Sequence, residues 1–227
     1  MAQEHRPHRI ILVRHGESEG NIDDSVYERV PDHRIALTSK GIEQATATGA
    51  RLRSIVTDES VDVYCSPYLR ARQTLDALNL SIVPDDIRVE PRLREQDWAN
   101  FQDTADIAVQ KEQRDRYGHF YYRFTQGESG SDVYDRVSSF LESLFRIFET
   151  ARSARNVVVV THGLTMRLFC MRWFHWSVEY FESLENPSNG EPIVLVRQPD
   201  FHYRLQTPFL QWNAAVIPST RERSSWL

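Results

Sequence analysis

The stretch "NVVVVTH" at 156–162 constrains the fold more than any other part of the chain. Four consecutive valines leave no polar face, so a strand made of them has to be covered on both sides. "RIILVR" (9–14) and "VDVYCS" (61–66) have the same character, and "IRVE" (87–90) is a weaker version. Such strands belong to parallel sheets held between helical layers. The intervening sequence supplies helices. One spans about Ser39 to Val56, with Ile42, Ala45, Gly49, Leu52 and Val56 near one face. A second spans about Pro67 to Leu78, its proline suited to a first helical turn. The longest, about Ser131 to Arg152, sets Val133, Val137, Phe140, Leu141, Leu144, Phe145 and Phe148 in steps of three and four. Another begins near Leu164, and "EPIVLVRQ" (191–198) and "HYRLQT" (202–207) read as later strands joined across Pro199 and Asp200. The expected fold class is α/β, a three-layer α/β/α sandwich on a mostly parallel central sheet, with 1–227 as a single domain. Residues 97–130 break the alternation; they read as an excursion, partly helical near 103–117, that covers one end of the sheet. The tail at about 218–227 reads as frayed.

In such a sheet ligands bind beyond the carboxyl ends of the parallel strands. Two strands end alike, one in Arg14-His15-Gly16 and the other in Thr161-His162-Gly163, and the strand at 61–66 leads into Ser66-Pro67 with Arg70 and Arg72 beyond. If these strands are neighbours, two histidines and at least two arginines converge. A glycine after each histidine lets backbone N–H groups approach a ligand. Arginine matches phosphate oxygens with a planar fork, and a neutral imidazole is a nucleophile. Phosphoryl chemistry is the natural reading. The rest of the chain does not advertise an anionic partner: 32 acidic residues against 27 Lys and Arg give a formal charge of −5. That balance disfavours a nucleic-acid surface and requires a local basic pocket instead.

Six segments then occur in one order: "LVRHGES" (12–18), "LTSKGIEQA" (37–45), "SPYLRARQT" (66–74), "RLREQD" (92–97), "GES" (127–129) and "VVTHG" (159–163). Together they resemble the histidine phosphatase superfamily, in its phosphoglycerate-mutase-like branch, over roughly Ile10 to Arg172. The resemblance implies that His15 attacks phosphorus and becomes a phosphohistidine. Arg14, Arg70 and His162 would hold the phosphoryl oxygens, and Glu95 would give the leaving oxygen its proton. Another branch carries an aspartate directly after the second histidine; Gly163 at that position favours Glu95. No metal and no other cofactor is implied, because the arginines supply the positive charge. "REQDWANF", "FYYRFTQGESGSDVYDR" and "MRWFHWSVEYFE" are similar to plant and fungal broad-range phosphatases of this branch. Ala99 departs from the family pattern, where a glycine is common, and Thr125 replaces a frequent proline.

The resulting expectation is a metal-independent phosphomonoester hydrolase acting on a small phosphorylated metabolite. A cofactor-dependent phosphoglycerate mutase and a sugar-bisphosphate phosphatase are the alternatives, with a non-catalytic phosphate-binding module behind them. Gly16 and Gly163 are expected at the substrate. Asn21 is either a turn residue or part of the pocket edge, and Arg123 either contacts the substrate or lies on the surface. Asp97 competes with Glu95 for the donor role. Glu128 is read as capping the helix that starts near Ser131. Trp173, Phe174 and Trp176 suit core packing or a dimer contact, which leaves a homodimer open. Cys65 and Cys170 read as core thiols of a reducing, cytoplasmic compartment, since they form no disulfide framework or metal motif. "MAQEHRPHR" lacks a following signal-length apolar region, and no segment suits a bilayer.

Overall fold

In the computed structural model, which describes residues 5–81, 86–150 and 153–212, the valine run occupies the middle of a six-stranded sheet. The strands are β1 (Arg9–Arg14), β2 (Val61–Cys65), β3 (Ile87–Val89), β4 (Asn156–Thr161), β5 (Pro192–Arg197) and β6 (Tyr203–Leu205). They lie in the order β3-β2-β4-β1-β5-β6. β1 to β4 are parallel to their neighbours among themselves, whereas β5 and β6 run antiparallel. Every residue of β4 is buried, as four valines in a row demand. The weak pattern of 87–90 has its counterpart in an edge strand whose three residues are all exposed.

Seven α-helices accompany the sheet among the described residues: α1 (Glu19–Ile22), α2 (Ser39–Val56), α3 (Leu69–Leu78), α4 (Thr104–Tyr117), α5 (Gly130–Phe148), α6 (Gly163–Phe174) and α7 (Val178–Glu182). Side chains along a strand alternate between faces, and here the alternation divides the core in two. Ile10, Leu12, Val157 and Val159 join Val133, Val137, Phe140 and Leu144 of α5 and Leu168 and Phe169 of α6. Ile11, Val13, Val158 and Val160 join Leu52 and Val56 of α2 and Ala71 and Leu78 of α3. This is the three-layer α/β/α arrangement. Each large apolar side chain on the α5 stripe contributes about 1.5–3 kcal/mol by leaving water.

Several boundaries differ from expectation for visible reasons. α3 begins at Leu69 rather than Pro67, because Tyr68 is its N-cap in extended backbone and Ser66 is engaged elsewhere. α5 begins at Gly130 with Ser129 as cap, and Ser129 and Asp132 form a reciprocal capping box. Glu128 is therefore not the cap. The expected end of this helix at Arg152 and the frayed tail at 218–227 lie outside the described residues. Cys65 and Cys170 are free and buried, and burial pushes both thiols up. Trp173, Phe174 and Trp176 pack against the larger core cluster. Among the described residues no helix is long and apolar enough to cross a membrane.

Candidate active site

The pairing of β1 with β4 sets Arg14 beside Thr161, so the residues that follow both strands emerge side by side. His15 N donates to the Thr161 carbonyl (3.0 Å), and the His15 and His162 rings lie 5.1 Å apart, edge to face. Both are buried. His15 Nδ1 lies 2.7 Å from the Gly16 carbonyl. A carbonyl only accepts, so Nδ1 carries the proton and the lone pair of the neutral ring is at Nε2. Burial holds this imidazole well below the usual histidine range; Arg70 and Arg14 push the same way, against the pull of the Gly16 carbonyl. His162 is depressed similarly, by burial first and then by Arg70 and His15. Its Nε2 pairs with Ser66 Oγ at 2.8 Å. Its Nδ1 has no hydrogen-bond partner and lies 3.8 Å from Glu95 Oε2.

A cavity of about 200 Å³ opens at these strand ends, with Arg14, His15, Arg70 and Glu95 in its wall. Arg14 Nη1 donates to the Pro187 carbonyl (2.6 Å), and its Nε has no partner. Arg70 Nη1 donates both to the Asp32 carbonyl (2.8 Å) and to Asp32 Oδ1 (2.6 Å), with the guanidinium over the Tyr68 ring. Glu95, not Asp97, faces the cavity; Asp97 instead accepts from Ala99 N (3.0 Å). Burial raises Glu95 above the usual carboxylate range, and Asp32 adds to this while Arg70 and Arg14 oppose it.

The loop carrying Glu95 is bolted down from beneath. Thr161 Oγ1 donates to the Leu93 carbonyl (2.7 Å) and Thr165 Oγ1 to that of Arg94 (3.2 Å). From α5, Arg136 donates to the carbonyls of Arg92 (2.7 Å), Arg94 (2.8 Å) and Glu95 (3.1 Å). Glu128 gathers Arg136 (3.0 Å), Arg94 and the Asp97 N–H (3.1 Å) onto one carboxylate. That is the position of Glu128, in place of the helix cap.

The other expected residues divide. Asn21 lines the cavity, where its Oδ1 accepts from Ser18 N (3.0 Å) and Asn189 Nδ2 (3.1 Å). Gly16 departs from expectation, because its N–H donates to Thr74 Oγ1 (3.0 Å). Its missing side chain serves packing: a Cβ there would stand 2.2 Å from the Gly41 carbonyl oxygen. Gly163 opens α6 and makes room for Asn186, 2.8 Å from where a Cβ would be. Arg123 is not in the cavity wall. It is a surface residue, 58% exposed and paired with Asp132 at 2.6 Å, because the turn before α5 points it at that helix's first turn.

Sequence reasoning missed part of the wall: Tyr27 and Asp32 from the loop before α2, Trp98, Lys111 of α4, and Asn186. One signal was available for the last. β5 runs antiparallel to β1 with Pro192 opposite Val13, so the segment entering β5 must lie where β1 ends. Gly190 N duly donates to the Arg14 and His15 carbonyls, both at 3.1 Å. Among the described residues, no group of three or more His, Cys, Asp or Glu side chains is disposed to hold a metal ion.

A family model described as the histidine phosphatase superfamily (branch 1) matches residues 10–205. A phosphoglycerate mutase-like protein of Arabidopsis thaliana is 48% identical over 204 residues, which cover 83% of this chain and 65% of that protein. The chain thus spans just under two thirds of that relative's length. A broad-range acid phosphatase of Saccharomyces cerevisiae is 32% identical, with 91% of each chain covered. Among solved structures, a mycobacterial glucosyl-3-phosphoglycerate phosphatase with VO3 shares the fold, with a TM-score of 0.69, 24% identity, and 88% of this chain and 98% of that one covered.

Proposed function

This chain belongs to the histidine phosphatase superfamily, branch 1, and on that premise we propose that it hydrolyses small phosphomonoesters through a phosphohistidine on His15. The observation that carries the reading is the His15 ring itself. It is buried, held neutral by burial and two neighbouring arginines, and fixed by the Gly16 carbonyl in the tautomer with its lone pair at Nε2. In the first step Nε2 attacks phosphorus in line, the bond from phosphorus to the leaving oxygen breaks, and Glu95 gives that oxygen its proton. In the second, the Glu95 carboxylate takes a proton from water, the water oxygen bonds to phosphorus, and the N–P bond breaks to free phosphate. Arg14, Arg70 and His162 hold the oxygens that carry the spreading charge. The two guanidinium groups supply the positive charge that a metal ion supplies in other phosphoryl-transfer sites, so the reaction proceeds without one. The described elements act as one catalytic domain with the 97–130 excursion over the site, on small metabolites of the cytoplasm.

The test is hydrolysis of p-nitrophenyl phosphate by the purified protein with a chelator present, alongside His15→Ala. Turnover that survives the chelator, disappears in the variant, and leaves an acid-labile phosphoenzyme in a rapid quench is the expected result. Turnover by His15→Ala at the wild-type rate, or turnover abolished by the chelator and restored by added metal, rejects the mechanism. Dependence on 2,3-bisphosphoglycerate would identify a mutase instead.

A further inference from the structure

Arg70, one of the two guanidinium groups in the cavity wall, already carries a carboxylate. Asp32 opens a short 3-10 turn, Asp32–Arg34, and meets Arg70 with its main-chain and side-chain oxygens together. The pair is enclosed, with side chains 3% and 17% exposed for Arg70 and Asp32, and both residues belong to the cavity wall. The outer cation is arranged the same way: Lys111 Nζ is 2.8 Å from Asp24 Oδ2, and both line the cavity. Of these cations, only Arg14 has no carboxylate partner in the described residues; it donates to a main-chain carbonyl. With Glu95 protonated, three cations therefore face two carboxylates, a local excess of one positive charge. A phosphoryl group that binds Arg70 must come within contact distance of Asp32, where enclosure keeps the repulsion between like charges unscreened.

We propose that Asp32 is a specificity-determining residue: paired with Arg70 in the cavity wall, its carboxylate makes the site favour singly charged phosphoryl groups and leaving groups that bear no further negative charge. The inference rests on the phosphatase reading above and names the substrate class of that site. The groups that face Asp32 are Arg70 and Tyr68 from the start of α3, Tyr27 from the Asp24–Glu28 turn, Glu95 from the loop after β3, and Arg14 beyond. His33, its chain neighbour, packs its ring on Tyr68. Of these, Glu95 is the one other carboxylate, and Asp24, paired with Lys111, is a third acid in the same cavity wall. A phosphate dianion would thus confront three acids at alkaline pH and two at mildly acidic pH.

The experiment has a binding arm and a turnover arm, each with Asp32→Asn, which preserves the shape, and Asp32→Ser as a second neutral variant. Calorimetric titration with inorganic phosphate, on either side of its second ionisation, is expected to show about tenfold tighter binding to the variants at alkaline pH and a smaller gain at acidic pH. In the turnover arm, kcat/KM for glycerol 3-phosphate is compared with that for 3-phosphoglycerate, which replaces a hydroxymethyl group by a carboxylate. The wild type should prefer the former, and the variants should lose about tenfold of that preference. Phosphate binding that is unchanged or weaker in folded variants at both pH values overturns the proposal. The wild type alone supplies a check that does not depend on the variants folding: phosphate affinity that climbs as pH crosses the second ionisation also overturns it. Because the binding arm needs no turnover, failure of the phosphatase reading would appear as absent hydrolysis with the Asp32 effect intact. Normal hydrolysis without an Asp32 effect would sink this inference alone.

Discussion

Replacing Arg136 by methionine tests whether Glu95 is held by the α5 clamp. The change keeps the stem and removes a guanidinium that serves three main-chain carbonyls, those of Arg92, Arg94 and Glu95, and one carboxylate, Glu128. The side chains of Arg136 and Glu128 are 9% and 14% exposed, so solvent screens the pair little. Deleting one member of a buried ion pair costs about 3–5 kcal/mol. Glu128 keeps Arg94, which places the estimate at the lower end, about 3 kcal/mol. For a protein of this size each kcal/mol lowers Tm by about 2–4 °C, giving a fall of about 6–12 °C. Function should suffer separately. With its carbonyl released, Glu95 drifts from the leaving oxygen, and a displacement near 1 Å is worth about a hundredfold in rate. KM should move little, since Arg14 and Arg70 are anchored elsewhere. The assays are thermal unfolding by circular dichroism and steady-state hydrolysis of p-nitrophenyl phosphate. Arg136→Lys should recover only part of either loss, because one ammonium cannot span this set of acceptors. A methionine variant that melts within about 2 °C of wild type and retains its kcat would refute the clamp.

Two further outcomes follow from single groups. His15 is neutral above its depressed pKa and Glu95 is protonated below its raised one, so kcat/KM should peak at mildly acidic pH and fall on the alkaline side as Glu95 ionises. Glu95→Gln should shrink that alkaline limb to the part set by the substrate's own second ionisation opposite Asp32, and lower kcat by about two to four decades; a limb of undiminished size in the variant would assign it to another group. Ala99 has a φ of +101°, a backbone region costly for alanine by about 1–3 kcal/mol. Ala99→Gly should therefore raise Tm by a few degrees after the extra chain entropy of glycine, about 0.5–1 kcal/mol, is subtracted. A lower Tm would mean that the turn is unstrained.

The parts legible in sequence were those whose reason is local. The valine run needs cover on both faces, so β4 and its neighbours could be assigned from composition alone, and the histidines after β1 and β4 followed once those strands were taken as adjacent. The residues of β3 gave a weaker pattern because they lie at the sheet edge, partly open to solvent. What escaped depends on distant pairing. Asp32 acquires its place only by meeting Arg70, 38 residues on. Arg136 reaches carbonyls more than 40 residues earlier in the chain, and a carbonyl has no sequence signature. The segment carrying Asn186 is brought in by the direction of β5. Glu128 was misread as a cap and Arg123 was left open for one reason: a tight turn before a helix gives no sign of which side chain faces inward, and here Glu128 does while Arg123 faces Asp132.

The sheet order has a consequence for how the molecule comes into being. β1 finds its parallel partner in β4, with Arg9 opposite Asn156 across 147 residues, and its other neighbour is β5. Pairings across such separations require a large loop to close before any contact rewards it, and they form late. α2, β2 and α3 lie between the two and can assemble first from short-range contacts. A chain that has folded this far carries His15 on an unpaired strand, without His162 and without the wall that precedes β5. The site is therefore complete only at the end of folding, and on the phosphatase reading the recovery of activity after denaturation reports the closing of long-range pairings rather than the growth of local structure.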